Sequence, residues 1–213
     1  MKAAAVLVFA LLLLAVYGEP AQSGPAQASL PFRGNHAIVF LGDSLTAHWF
    51  SEDSDYMAAH HYVHAGVGGD TTKDLLARFP SDVAATRPRI VHIWGGTNDI
   101  ANGSPIESTE QNLAKLHEAA AHAGALSIVV SVLPMRGANA VHNPSVVALN
   151  AWLRNFAASH GLIYLDYYSL MVDANGELAK QYAKSDFHIN AAGYAVLTPV
   201  MKAAVDKLGG NGQ

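Results

Sequence analysis

The sequence predicts a doubly wound α/β domain built on a five-stranded parallel sheet in the order 2-1-3-4-5. Three observations carry that expectation. Five short apolar runs are spaced along residues 37–166, and stretches with helical spacing or helix caps fall between them. The chain of 213 residues is 51 % hydrophobic, ample for one core and too short for two comfortable domains. The runs are almost continuously apolar, as strands buried on both faces require.

Taken in order, Ala37–Leu41 reads as the first strand, closed by Gly42. Ala47–His60 reads as one helix, followed by a second strand around Tyr62–His64. Gly66-Val67-Gly68-Gly69 forms a loop, after which Asp70-Thr71-Thr72 caps a helix through about Phe79. Ile90–Trp94 is the third strand, ended by Gly95-Gly96. Ser108 is expected to cap a long Ala- and Leu-rich helix to about Ala123, which Gly124 ends. Ser127–Leu133 is the fourth strand, stopped by Pro134. A polar connection leads to a helix from Pro144 to His160, closed by Gly161. Leu162–Asp166 is the fifth strand, and Asn190–Leu208 the closing helix.

The N-terminus has a different character. Met1-Lys2 precedes an apolar segment, Ala3 to Tyr17, and then small residues ending in Ala26-Gln27-Ala28. A charged start, a short apolar stretch and an A-x-A site describe a secretory signal, cut before Ser29 or nearer Gly18. The apolar run falls short of the roughly 20 residues that a membrane span needs. Residues 1–28 are therefore read as signal and tether and 29–213 as the folded domain of an exported (secreted or periplasmic) protein with no stable membrane span. The chain has no Cys, so thiolate metal sites and cysteine nucleophiles are excluded. A net charge of −4 without a basic run argues against nucleic acid as a partner.

In the 2-1-3-4-5 order, ligands bind where the winding reverses, at the carboxyl ends of strands 1 and 3. The loops there hold Ser44 and Asn98. Gly42 permits a sharp turn, so Ser44 stands where a strand becomes a helix, its hydroxyl exposed beside unpaired backbone N–H groups. Such a Ser is either a nucleophile with an oxyanion site next to it or simply the cap of the following helix. The Asn98 amide can donate to an oxyanion, worth about 3–4 kcal/mol in a transition state, or bond its own loop. Gly69 offers a bare backbone N–H or an ordinary left-handed turn. His188, one of 11 histidines, lies just ahead of the closing helix.

Together these residues carry a resemblance. Gly42-Asp43-Ser44-Leu45, Gly66-x-x-Gly69-Asp70-Thr71-Thr72, Gly96-Thr97-Asn98-Asp99 and His188-x-Asn190-x-x-Gly193-Tyr194 resemble the four blocks of the SGNH hydrolases, the GDSL-type esterases and lipases. They occur in the family's order across about residues 36–196. The resemblance implies a flavodoxin-like three-layer α/β/α sandwich and a serine hydrolase acting on esters without metal or cofactor. It implies Ser44 as nucleophile and His188 as general base. The oxyanion hole would be the Ser44 and Gly69 N–H groups with the Asn98 side chain.

Two departures stand out. The family's acid usually lies three residues before the His, where this chain has Ser185; the nearby carboxylate is Asp186, which is expected to be the acid unless a main-chain carbonyl orients the ring. His64-Ala65 stands where many relatives carry Asn-Arg. Trp49 and Phe50 are read either as lining an acyl pocket or as packing the first helix, and Met135 and Arg136 as walling the substrate site or forming a surface loop. His60, His61 and His64 lack the carboxylates of a metal site. Asp43 is expected to hold its turn, and Asp99 to fix its own loop or cap a helix.

The function expected is an exported serine ester hydrolase. Its partner is a small-molecule ester: a short-to-medium acyl ester, a lysophospholipid or an acetylated carbohydrate. The alternatives are acyl transfer to a sugar hydroxyl at the same site, or a catalytically degenerate carbohydrate- or lipid-binding module.

Overall fold

The structure is a computed structural model that describes residues 37–209. The signal segment and its cleavage before Ser29 lie outside the described residues. Five parallel strands pair in the order β2-β1-β3-β4-β5, as the sequence predicts. They are β1 (Ile38–Gly42), β2 (Val63–Gly66), β3 (Ile90–Trp94), β4 (Leu126–Val130) and β5 (Ile163–Leu165).

Alternation along each strand divides the core in two. Phe40, Ile90, Trp94, Ile128, Val130 and Leu165 pack on one side, against α1 (Ser44–Glu52), α7 (Tyr167–Met171) and α8 (Ala191–Lys207). Val39, Leu41, Val91, Ile93 and Val129 pack on the other, against α3 (Thr72–Asp82), α5 (Ile106–His122) and α6 (Asn143–His160). The result is helix, sheet, helix in three layers. Among the described residues no helix is long and apolar enough to cross a membrane.

Several boundaries differ from expectation, each for a local reason. The segment 47–60 is two helices, α1 and α2 (Ser54–Ala59), broken at Asp53, whose φ of −130° leaves the helical region. Just before the break Ser51 Oγ donates to His48 O at 2.8 Å, and Asp53 Oδ2 accepts from Thr198 Oγ1 on α8 at 3.1 Å. The fourth strand stops at Val130, not Leu133. Beyond it the Asn150 side chain replaces a neighbouring strand, accepting from Val132 N at 2.7 Å and donating to Val132 O at 2.8 Å. The helix expected to be capped by Ser108 begins at Ile106, after Pro105. Short α4 (Thr97–Ala101) and α7 were not anticipated, because five-residue helices leave no periodic signal.

The close fit of α1 to the sheet depends on two bare Cα positions. A Cβ at Gly42 would lie 2.1 Å from Thr46 Oγ1, and one at Gly66 2.5 Å from Ala47 N. Both glycines end strands, so the first turn of α1 sits directly on the carboxyl rim of the sheet.

Candidate active site

Asp43, not Ser44, caps α1. Its Oδ1 accepts from Leu45 N at 2.9 Å, which releases the Ser44 hydroxyl from capping duty. Ser44 Oγ instead lies 2.8 Å from Nε2 of His188, a residue 144 positions further along the chain.

The loop bearing His188 is built to meet it. Asn190 caps α8 by accepting from Gly193 N at 3.1 Å, and Asn190 Nδ2 donates to Gln181 O at 2.9 Å. A Cβ on Gly193 would come 2.9 Å from Ile189 Cβ, which explains the Gly three residues after Asn190. Lys184 N and Ser185 N both donate to His188 O, at 2.8 and 3.2 Å, folding the segment into a tight turn. Across to α1, Tyr194 Oη donates to Leu45 O at 2.8 Å and Lys184 Nζ pairs with Glu52 Oε1 at 2.8 Å.

The other two loops converge on the same rim. Gly69 is exposed at φ 87°, a left-handed conformation natural to Gly. At the adjacent Gly68 a Cβ would lie 3.9 Å from Ser44 Cβ, so this loop passes beside the hydroxyl. Asn98, on α4, donates from Nδ2 to Asp70 O at 2.8 Å and more weakly to Asp43 Oδ2 at 3.4 Å. That one amide touches the loops after β1 and β2.

Two further residues hold this arrangement: Arg78, which no motif marks, and Asp99, which the sequence reads as a loop or helix-cap residue. Arg78 on α3 donates to Asp70 Oδ2 at 2.6 Å, Asp82 Oδ2 at 2.9 Å and Gly42 O at 2.8 Å, clamping the Gly69 loop to the end of β1. Asp99, buried beside Asn98, accepts from Thr72 N at 2.9 Å and Thr72 Oγ1 at 2.6 Å. It thereby satisfies an orphan donor at the N-terminus of a helix 27 residues away. Removing that carboxylate strands a buried N–H and hydroxyl. Asp99→Ala is therefore expected to cost about 2–4 kcal/mol and lower the Tm by roughly 5–15 °C, read by thermal denaturation.

The electrostatics are those of a partly dry crevice. Burial pushes the Asp43 carboxyl up to about 7, against the Leu45 N–H bond that favours its charge; Asp99 and Asp70 add to the rise. Burial also pulls the His188 imidazole below its ordinary range, with help from His48 and Lys184. His48 follows Ser44 by one helical turn, and its ring centroid lies 4.8 Å from that of His188.

Other site expectations are corrected. Asp186 does not meet His188 Nδ1. Its Oδ2 accepts from Asn139 Nδ2 at 3.0 Å, while Nδ1 lies 2.9 Å from Ser185 Oγ. Trp49 is fully buried in an aromatic cluster with Phe40, His92, Trp94, Tyr167 and Tyr194, and so is core, not acyl pocket. Met135 is also fully buried. Arg136 is half-buried and committed to structure: Nη1 donates to Leu178 O at 2.9 Å and its N–H to Asp186 O at 2.8 Å. His60, His61 and His64 form no cluster capable of holding a metal among the described residues.

Comparison with known proteins bears on the family and the fold. Residues 40–196 match the GDSL-like lipase/acylhydrolase family. A GDSL-like lipase from Bacteroides thetaiotaomicron VPI-5482 has a similar crystal structure, with a TM-score of 0.77, 26 % identity, and coverage of 93 % of this chain and 96 % of that one. The platelet-activating factor acetylhydrolase IB subunit alpha1 of Rattus norvegicus is 28 % identical over 181 residues, 78 % of this chain and 72 % of its own. The uncharacterized lipoprotein YqeF of Bacillus subtilis (strain 168) is 30 % identical over 131 residues, covering 52 % of this chain. The match spans about half, 54 %, of that lipoprotein's length. A family match running from β1 into α8, on this sheet order and with these four loops at one rim, makes the chain a member of the GDSL-like lipase/acylhydrolase family, within the SGNH hydrolases.

Proposed function

We propose that this acylhydrolase is an exported serine esterase with Ser44 as nucleophile and His188 as general base. The observation that carries the reading is the 2.8 Å contact between Ser44 Oγ and His188 Nε2. Ser44 Oγ attacks the ester carbonyl carbon as its proton passes to Nε2. The oxyanion is held by the N–H groups of Ser44 and Gly69 and by the Asn98 amide, which are worth most in a water-poor crevice. His188 then protonates the departing alcohol. Water, deprotonated by the same nitrogen, attacks the acyl-enzyme, and the acid leaves with Ser44 restored. No step asks for a metal or a cofactor.

The substrates proposed are carboxylic esters of short to medium acyl chain, with lysophospholipids and acetylated carbohydrates in the same class. Similarity to the platelet-activating factor acetylhydrolase subunit supports the short-acyl end. Export is supported by the charged, apolar and small-residue succession of residues 1–28.

One observation favours a second reading, a pocket that binds without turnover: no carboxylate among the described residues meets His188 Nδ1. A fluorophosphonate probe separates the two. An esterase labels at Ser44 and hydrolyses p-nitrophenyl acetate, and Ser44→Ala does neither. A bare pocket does neither even as wild type.

The pH dependence has a definite sign. His188 must be neutral to take a proton, and its surroundings favour the neutral form. The acid limb of kcat/KM is therefore expected to rise with pH through a midpoint below 6.5, the ordinary imidazole value, and to be flat well above it. A midpoint above that value would contradict the assignment of the base.

A further inference from the structure

The Nδ1 face of His188 has a neighbour of an unexpected kind. Ser185 Oγ lies 2.9 Å from it, and His188 N donates back to the same oxygen at 3.3 Å. The nearest carboxylate in sequence, Asp186, is held elsewhere. Besides Asn139 on its side chain, its main-chain oxygen accepts from Arg136 N. The turn at Gly137 presses so close that a Cβ there would lie 3.1 Å from Asp186 Oδ1. Asp186 thus belongs to the joint between residues 136–142 and the His188 loop.

We propose that Ser185 is the positioning residue of His188: its hydroxyl accepts a hydrogen bond from Nδ1–H and holds the ring so that Nε2 faces Ser44 as a base. The inference rests on the reading of Ser44 and His188 as nucleophile and base.

A hydroxyl does this differently from a carboxylate. A carboxylate only accepts, so it compels the proton onto Nδ1. A hydroxyl accepts or donates, so it fixes the ring plane but also tolerates the tautomer with the proton on Nε2, which cannot deprotonate Ser44. It also brings no negative charge to the imidazolium formed as Ser44 attacks. The remaining charged neighbours do not make up for this. From α1 the facing group is His48; Glu52, one turn further, is engaged by Lys184, the cation of the His188 loop. Phe187 adds only an aromatic ring, its centroid 4.7 Å away. The base of this site is therefore weaker than one backed by a carboxylate, and restoring the charge strengthens it. Ser185 is exposed, so a longer side chain has room.

The test compares Ser185→Ala, Ser185→Asp and Asp186→Ala in the full chain. It reads p-nitrophenyl acetate hydrolysis across pH together with an NMR titration of the His188 ring, which needs no substrate. Ser185→Ala is expected to lower kcat about tenfold while KM stays within about twofold. Ser185→Asp is expected to raise both the midpoint of the acid limb and the NMR pKa of His188 by about one unit, and to raise kcat at pH 8 about tenfold. Asp186→Ala is expected to stay within about threefold of wild type in kcat.

An unmoved His188 titration in Ser185→Asp, with Ser185→Ala at full kcat, would overturn the proposal and leave Ser185 as a turn residue. A hundredfold loss in Asp186→Ala would overturn it in favour of that carboxylate. Failure of the esterase reading looks different. There, Ser44→Ala matches wild type in hydrolysis, while the NMR shift in Ser185→Asp still shows whether the hydroxyl addresses the ring.

Discussion

Ser44→Ala and His188→Ala are each expected to lower kcat for a short acyl ester by at least about four orders of magnitude, and the double variant to lose no more than the worse of the two. In the proposed mechanism the hydroxyl and the imidazole act as one unit: without the proton acceptor the hydroxyl is a poor nucleophile, and without the hydroxyl the acceptor has nothing to activate. Additive losses in the double variant would mean that the two groups act on different steps, despite their 2.8 Å separation. Residual hydrolysis above the uncatalysed rate is expected in all three variants, because the proposed oxyanion donors at Gly69 and Asn98 remain. Steady-state assays on preparations checked for folding by circular dichroism settle the comparison.

Trp49→Ala is expected to cost about 3–5 kcal/mol of stability and lower the Tm by roughly 10 °C or more, with KM for a short ester moving less than about twofold in whatever fraction stays folded. Trp49 is 0 % exposed and touches five other aromatic rings, so truncation opens a cavity on the α1/α8 side of the sheet. It also removes the Nε1 donor to Thr198 Oγ1 at 3.2 Å, one of the ties between α1 and α8. Trp49→Phe keeps most of the ring volume and is expected to cost about 1–2 kcal/mol. The opposite pattern, a large rise in KM at unchanged Tm, would return Trp49 to the acyl pocket.

Trp49, open between acyl pocket and helix packing, and Met135, open between site wall and surface loop, show where sequence runs out. Trp49 and Met135 both lie near catalytic-rim segments, and proximity along the chain says nothing about which way a side chain turns. Trp49 is on the same helix as Ser44, yet it faces the sheet while Ser44 faces the crevice. The strands were legible because burial on both faces leaves unbroken apolar runs, and the sheet order followed from the number and alternation of elements. Strand 3 was read to the residue, whereas strand 4 was read too long because the Asn150 amide imitates a neighbouring strand, a substitution no local pattern records. The late loop misled for a similar reason. Counting from His188 placed Asp186 close by, but its direction is set by Asn139 and Gly137, nearly fifty residues earlier. Arg78 leaves no signal as a connector because it acts on an element distant in sequence, and for Asp99 the loop or helix-cap reading does not say that the helix it serves starts 27 residues earlier.

On the proposed reading, the 144 residues between nucleophile and base have a bearing on when this molecule becomes chemically competent. A chain still emerging from the ribosome can already contain the β1–α1 turn, but its hydroxyl has no proton acceptor until the segment beyond residue 184 has been made and α8 has docked on α1 through Tyr194 and Lys184. Synthesis therefore supplies the harmless half first and the activating half last. On that reading turnover requires a finished tertiary structure, and a nick, truncation or stalled intermediate that detaches the final helix is expected to silence the protein while leaving most of its sheet intact.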